Sequence, residues 1–157
     1  MARTSLTAPI GELVVTTTAL GVWRIDVDPT AILAGEDDAS PAARMHLDDA
    51  LEQLRAYLDG STRPFTVALD RSARRGFRGV VLDTLEGVGR GELITYGDLA
   101  ARAGRPGAAR AVGTAMATNP IPIIVPCHRV VRRGGDLGRY GPGPAAKRWL
   151  LELEGSI

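Results

Sequence analysis

The chain has one cysteine, Cys127, followed directly by His128 and by the arginines Arg129, Arg132 and Arg133. The thiolate is the nucleophilic form of cysteine, and nearby imidazole and guanidinium groups lower a thiol pKa from its free value of ~8.5. The pattern suits covalent chemistry at sulfur. A lone cysteine behind an apolar run is equally a small buried side chain, and spacing alone leaves both readings open. The segment before it, Asn119-Pro-Ile-Pro-Ile-Ile-Val-Pro126, carries three prolines that forbid a helix. It is expected to reach Cys127 as an extended, buried strand. Adjacent side chains of an extended chain point to opposite faces. A proton could then pass from Cys127 to His128 only through a bridging water or a backbone kink. A single cysteine excludes an internal disulfide, and with only His46 and His128 beside it a metal site is not expected.

The elements around this motif read as two short helices and a closing one. Phe77, Val81, Leu85 and Val88 recur at helical spacing. Thr95-x-x-Asp98 resembles a capping box with Asp in place of Glu, opening a helix through Ala103. The tight turn Gly104-Arg-Pro-Gly107 leads to a helix of small residues, Ala108 to Ala117, and the pair reads as a helix-turn-helix. Alanine and glycine bury little area, so this second helix invites close approach by another surface, either a protein helix or a nucleic-acid groove. After a glycine-rich stretch from Gly134 to Gly143, Pro144 is placed to start a last helix with Leu150, Leu151 and Leu153.

The first half carries no recognisable chemistry. Glu12–Thr18 and Val22–Val27 alternate as a hairpin about Ala19-Leu20-Gly21, with Leu13 and Val15 on one face and Trp23, Ile25 and Val27 on another. Residues 28–42 read as an acidic loop, 43–58 as a helix, and Phe65, Val67 and Leu69 as a third strand. The cationic connector Arg71–Gly76 marks a boundary between domains 1–76 and 77–157. The expected fold is α/β of the α+β kind: a small sheet-plus-helix scaffold, then a mostly helical domain with the helix-turn-helix and Cys127.

The chain has 157 residues, 45% apolar and 24% charged, with net charge +1. This is ordinary globular usage. No apolar run nears the ~20 residues that span a bilayer, and no signal-like core opens the chain, so a cytoplasmic location is expected. Charge is uneven: residues 1–76 hold 8 Arg against 11 acids, and residues 98–151 hold 9 basic against 2 acidic residues. A basic block suggests a polyanionic partner.

Pro126-Cys127-His128-Arg129-Val130 resembles the active-site motif of the O6-alkylguanine-DNA alkyltransferases. Gly91-Glu-Leu-Ile-Thr-Tyr96-Gly-Asp-Leu-Ala, Ala109-Arg110-Ala-Val-Gly113, Asn119-Pro120, Gly138-Arg-Tyr140 and Lys147-Arg-Trp-Leu-Leu-Glu-Leu-Glu154 resemble the family's other blocks in order and spacing. The similarity covers residues 77–155, with a fainter echo at Pro9-Ile10-Gly11. It implies a DNA repair protein that flips O6-alkylguanine out of the duplex and transfers the alkyl group irreversibly to its own cysteine. It also implies the site. Cys127 would accept the alkyl group, His128 would take its proton through water, and Glu154 would orient His128. Tyr96 would donate to the leaving base and Asn119 would lock the turn before the active site. Arg110 would fill the gap left by the flipped base, with Ala109, Ala111, Gly113 and Thr95 meeting the minor groove of double-stranded DNA. Met116, Val130, Tyr140, Gly141 and Lys147 would form the base and alkyl pocket, the Val130 carbonyl reading the guanine amine. The resemblance implies no cofactor and a monomer, with cooperative binding along DNA as an alternative; some relatives carry a structural zinc, but the ligand count here predicts no metal, and the composition predicts no membrane partner.

The chain departs from the family's pattern at Leu82, where members often carry Trp, at Gly89-Arg90, and at Pro142 in the glycine-rich loop. A branch of alkyltransferase-like proteins binds lesions without transfer and lacks the cysteine; that is the alternative reading. A cysteine hydrolase would use Cys127, His128 and Glu154 but has no need of a helix-turn-helix. A helix-turn-helix regulator has no need of a Cys-His pair.

Overall fold

The computed structural model describes residues 1–30 and 39–157. The chain folds as two compact units, Met1–Ala73 and Arg74–Ile157, and the acidic loop expected over 28–42 falls in large part outside the described residues. The architecture is mixed α/β.

The first unit is an antiparallel three-stranded sheet, β1 (Ala2–Ala8), β2 (Gly11–Thr18) and β3 (Gly21–Val27), in the order β1-β2-β3, with helix α1 (Pro41–Leu58) after it. The sequence suggested a hairpin; β1 was missed because its small and polar residues show no apolar alternation, only Ala2 and Ala8 being buried. The expected face of Trp23, Ile25 and Val27 is also corrected. A bulge shifts the register, pairing Thr16 with Arg24 but Thr17 with Val22, so Trp23 is the extra residue of β3. Val22 and Ile25 therefore both turn inward onto Leu13 and Val15, all four buried, and Trp23 lies outside this set.

Phe65–Leu69 is not a strand. It makes one bridge, Leu69 to Val22. The Thr66 and Val67 amides are instead taken up by the Gln53 side chain of α1, at 2.8 and 3.2 Å. The bridge depends on Gly21, whose added Cβ would lie 2.3 Å from the Ala68 carbonyl oxygen. α1 starts at Ser40, whose hydroxyl accepts from the Ala43 amide, followed by Pro41 in the first turn. Ala43, Ala50, Leu54 and Tyr57 form its buried stripe.

The second unit contains α2 (Gly76–Leu85), β4 (Ile94–Thr95), α3 (Tyr96–Arg102), α4 (Ala109–Ala117), a single 3-10 turn (Cys127–Arg129), β5 (Val130–Val131) and α5 (Pro144–Leu153). Thr95 caps α3 by accepting from the Asp98 amide at 3.1 Å. α4 buries only Val112 and Ala115, and Arg78 of α2 covers its far end by donating to the Thr118 hydroxyl and carbonyl. β4 and β5 form a two-stranded parallel pair, Ile94 with Val130 and Thr95 with Val131. This pairing, invisible in either short segment, brings Tyr96 and Cys127 into one neighbourhood. Among the described residues no helix is long and apolar enough to cross a membrane.

Candidate active site

The expected extended approach to Cys127 is in fact a folded turn. Val125 donates to the Ile121 carbonyl at 2.9 Å, and Ile123 takes φ +75°, a left-handed conformation costly for a β-branched residue. Asn119 holds this turn from both sides: its Oδ1 accepts from the Ile121 amide and its Nδ2 donates to the Val125 carbonyl at 2.9 Å. The whole run from Ile121 to Val131 is buried, so the aliphatic side chains anchor what the strained backbone presents. What it presents is a 3-10 turn rather than a strand, which makes the opposite-face argument for Cys127 and His128 inapplicable.

Cys127 lines a pocket of about 730 Å³ with Tyr96 from the start of α3, Ala109, Arg110, Gly113, Thr114, Met116 and Ala117 from α4, and Arg132, Arg139, Tyr140 and Gly141 from the loop before α5. That volume suits a small-molecule-sized guest. Thr114, Ala117, Arg132 and Arg139 were not singled out from the sequence. Of the expected pocket residues, Val130 and Lys147 are not on the lining: both are fully buried behind it, and Lys147 Nζ donates to the Val130 carbonyl at 2.6 Å and to the Arg139 carbonyl at 3.3 Å. The Val130 carbonyl expected to read a guanine amine is thus already engaged by an amine of the protein. Thr95 uses its hydroxyl as the α3 cap, and Ala111 is exposed on α4 away from the lining. Gly138, at φ +78°, lets the loop pass Tyr96: a Cβ there would come 3.2 Å from the Tyr96 hydroxyl.

Behind the sulfur lies a buried polar group. Glu154 caps the C-terminus of α5 with its side chain fully buried. His128 Nε2 is 2.9 Å from Glu154 Oε2. Arg129 donates Nε to Oε1 at 3.0 Å and Nη2 to Oε2 at 2.8 Å, and gives Nη1 to the Val88 carbonyl at 2.6 Å. A carboxylate that takes a two-pronged guanidinium is ionised and accepts only, so Nε2 is the protonated nitrogen of His128. Nδ1 is buried with no hydrogen-bond partner among the described residues. Burial holds the His128 pKa below its ordinary value, with Glu154 opposing. The imidazole is therefore neutral at neutral pH, its lone pair on Nδ1.

The electrostatics of Cys127 correct the expectation of an ionised thiol. Burial pushes its pKa up to about 11, against the lowering effects of an Asn119 hydrogen bond and of Lys147. The arginine beside it in sequence does not help, because Arg129 faces Glu154. The resting sulfur is a thiol. Burial raises the Tyr96 pKa as well, so its hydroxyl stays a donor, and lowers that of Lys147 to about 8.

The charge argument shrinks in the same way. Of the nine basic residues in 98–151, Arg129 and Lys147 point inward, Arg102, Arg132 and Arg148 pair with Glu92, Asp136 and Glu152, and Arg105 stacks on the Phe77 ring at 4.8 Å. Among the described residues Arg110, Arg133 and Arg139 make no ion pair, and Arg110 and Arg139 stand at the pocket. α4 exposes Arg110, Ala111, Thr114 and Ala117 on the side away from its buried residues, a low face with one long cationic side chain at its start.

Comparison with known proteins is consistent across sequence and structure. Residues 76–156 match the family model for the DNA-binding domain of 6-O-methylguanine DNA methyltransferase. The chain is 39% identical to the human methylated-DNA–protein-cysteine methyltransferase, over 99% of this chain and 81% of that protein. It is 49% identical to the protein of the same name from Mycobacterium tuberculosis H37Rv, over 68% of this chain and 64% of that one. Among solved structures it is similar to M. tuberculosis OGT in complex with DNA, with TM-score 0.82 and 39% identity, covering 97% of this chain and 91% of that chain.

Proposed function

Because the chain belongs to the 6-O-methylguanine DNA methyltransferase family, we propose that it repairs O6-alkylguanine in duplex DNA by moving the alkyl group onto Cys127, once per molecule. Membership carries the coarse function, a DNA-binding methyltransferase of DNA repair. The finer reading is supported above all by one observation: Cys127 lines a guest-sized pocket, and the residue after it, His128, keeps a buried ring nitrogen with no hydrogen-bond partner among the described residues.

The reacting carbon of a stacked guanine is out of reach of any protein atom, so the base must leave the helix. The exposed face of α4 is low enough to enter a minor groove, where contacts are mainly to shape and backbone, and Arg110 stands beside the pocket to fill the space left in the stack. Thr114, Met116, Tyr140 and Gly141 then surround the base and its alkyl group.

The thiol proton passes to His128 Nδ1, through water, as sulfur attacks the alkyl carbon. A carbon–sulfur bond forms and the carbon–O6 bond breaks. The electron pair stays on guanine, which takes the proton of the Tyr96 hydroxyl, and Tyr96 takes one back from solvent. His128 returns its proton to solvent, and Glu154 stabilises the imidazolium meanwhile, as the acid of a catalytic triad does. The raised thiol pKa means that proton removal accompanies attack rather than preceding it. A thioether is not hydrolysed, so the sulfur is consumed.

Intact-mass analysis after incubation with an O6-methylguanine duplex tests this. The expected result is one added methyl on the Cys127 peptide, absent in Cys127→Ser. An unchanged mass with DNA still bound leaves the binding-only reading.

A further inference from the structure

We infer that Arg129 is a positioning residue of this reaction: its forked guanidinium keeps Glu154 a carboxylate, and so decides which nitrogen of His128 carries the proton. The inference rests on His128 being the base for Cys127.

Arg129 is the buried arginine among the described residues, and its three hydrogen bonds are spent inside the fold. Two hold both oxygens of Glu154, which fixes the plane of the carboxylate toward the imidazole. The third anchors the guanidinium to the Val88 carbonyl, just beyond α2, so the clamp is held from outside the active-site turn. The charged groups acting on His128 are Glu154 and Lys147 of α5 and Arg129 of its own turn. Glu154 draws a proton onto the His128–Glu154 pair; Arg129 and Lys147 oppose that uptake.

Without the guanidinium, a carboxylate would be buried against a neutral ring, an arrangement that binds a proton. If the ring takes it, both ring nitrogens are protonated. If the carboxyl takes it, the acid donates to Nε2 and the ring hydrogen moves to Nδ1. Either way Nδ1 loses the lone pair that would take the thiol proton. Arg129 thus acts on the sulfur through two other residues without touching it.

The protein holds only two histidines, His46 and His128, so nitrogen-15 NMR of histidine-labelled full-length protein resolves the ring directly. In the wild type the expected state is Nε2 protonated and Nδ1 bare at neutral pH. In Arg129→Met, which fills the space without charge, Nδ1 is expected to be protonated at neutral pH. The acid limb of methyl transfer should move to higher pH, the rate falling about tenfold for each unit of displacement. A folded Arg129→Met with the wild-type tautomer and pH profile overturns the inference. Should that variant fail to fold, the wild-type spectrum decides, because a protonated Nδ1 there overturns it equally. A wild type that moves no methyl while keeping Nδ1 bare would instead remove the reaction assigned to the site, leaving the hold of Arg129 on His128 intact.

Discussion

The two units bury polarity in different ways. Among the described residues of the first, the buried polar side chains are hydroxyls, Thr16 and Thr17, and the Thr17 hydroxyl gives its hydrogen to the Ala43 carbonyl at 2.6 Å. In the second they are ionisable: His128, Arg129, Lys147 and Glu154. A buried hydroxyl with a partner is nearly neutral for stability, whereas a buried charge carries a desolvation cost that even a good partner only offsets. A fold that needed only stability would fill those positions with apolar groups. The second unit keeps four such groups within 27 residues of chain, directly after its one cysteine.

That contrast can be broken by substitution. Glu154→Gln, which strands the Arg129 charge, should cost about 3–5 kcal/mol of unfolding free energy, measured by urea denaturation; a cost under ~1 kcal/mol would mean the cluster is solvated in solution. Thr17→Val, which removes a hydrogen bond to a carbonyl that still sits within α1, should cost about 0.5–1.5 kcal/mol, and a loss as large as that of Glu154→Gln would erase the distinction between the units. Within the second unit, Asn119→Ala removes both clasps of a strained turn. It should lower the transfer rate more than it lowers DNA affinity, and equal losses would show that the turn serves binding instead.

The smallest effect is one of pH. The folded state holds the Lys147 pKa at about 8, below its ordinary 10.5, so above about pH 8 the unfolded chain binds more protons there than the folded one. Linkage then makes this residue's contribution to stability rise with pH from about 8 toward 10.5. Cys127 does the reverse above pH 9, since its folded pKa of about 11 keeps a proton that the unfolded chain gives up. A denaturation series on Cys127→Ala should therefore show a rise over this window that Cys127→Ala/Lys147→Met lacks. Identical slopes would place the Lys147 ammonium in water.

The parts of the molecule that read well from sequence are those whose cause is local. Thr95 three residues before Asp98, and Pro144 after Gly143, each mark a helix start by residues close together in the chain, whereas the start of α1 at Pro41 lies inside the span read as a loop. What read badly depends on partners far away. β1 shows itself only through β2. The bulge at Trp23 is decided by register, not by alternation, and the Phe65–Leu69 segment lost its strand because Gln53 took its amides. At the site, Cys127 and His128 are conspicuous by type, but the sign of the thiol shift depends on burial, which no count of neighbouring arginines reports. Arg129 was counted as surface charge for the same reason. The one sequence signal against that count was Glu154, an acid at a helix end where the dipole disfavours it and where a cation had to be waiting.

The parallel pairing of β4 with β5 has a consequence for how such a protein can change. The chain leaves this pair at Tyr96 and comes back to it after Arg129, so α3, α4 and the turn that carries Cys127 are one closed excursion from a paired base. Insertions or exchanges between α3 and α4 would leave the two ends of that excursion, with Tyr96 at one and Cys127 near the other, held by the same pair. The middle of the excursion and its paired ends can thus drift apart in evolution, or be traded separately by an engineer, without either having to be rediscovered.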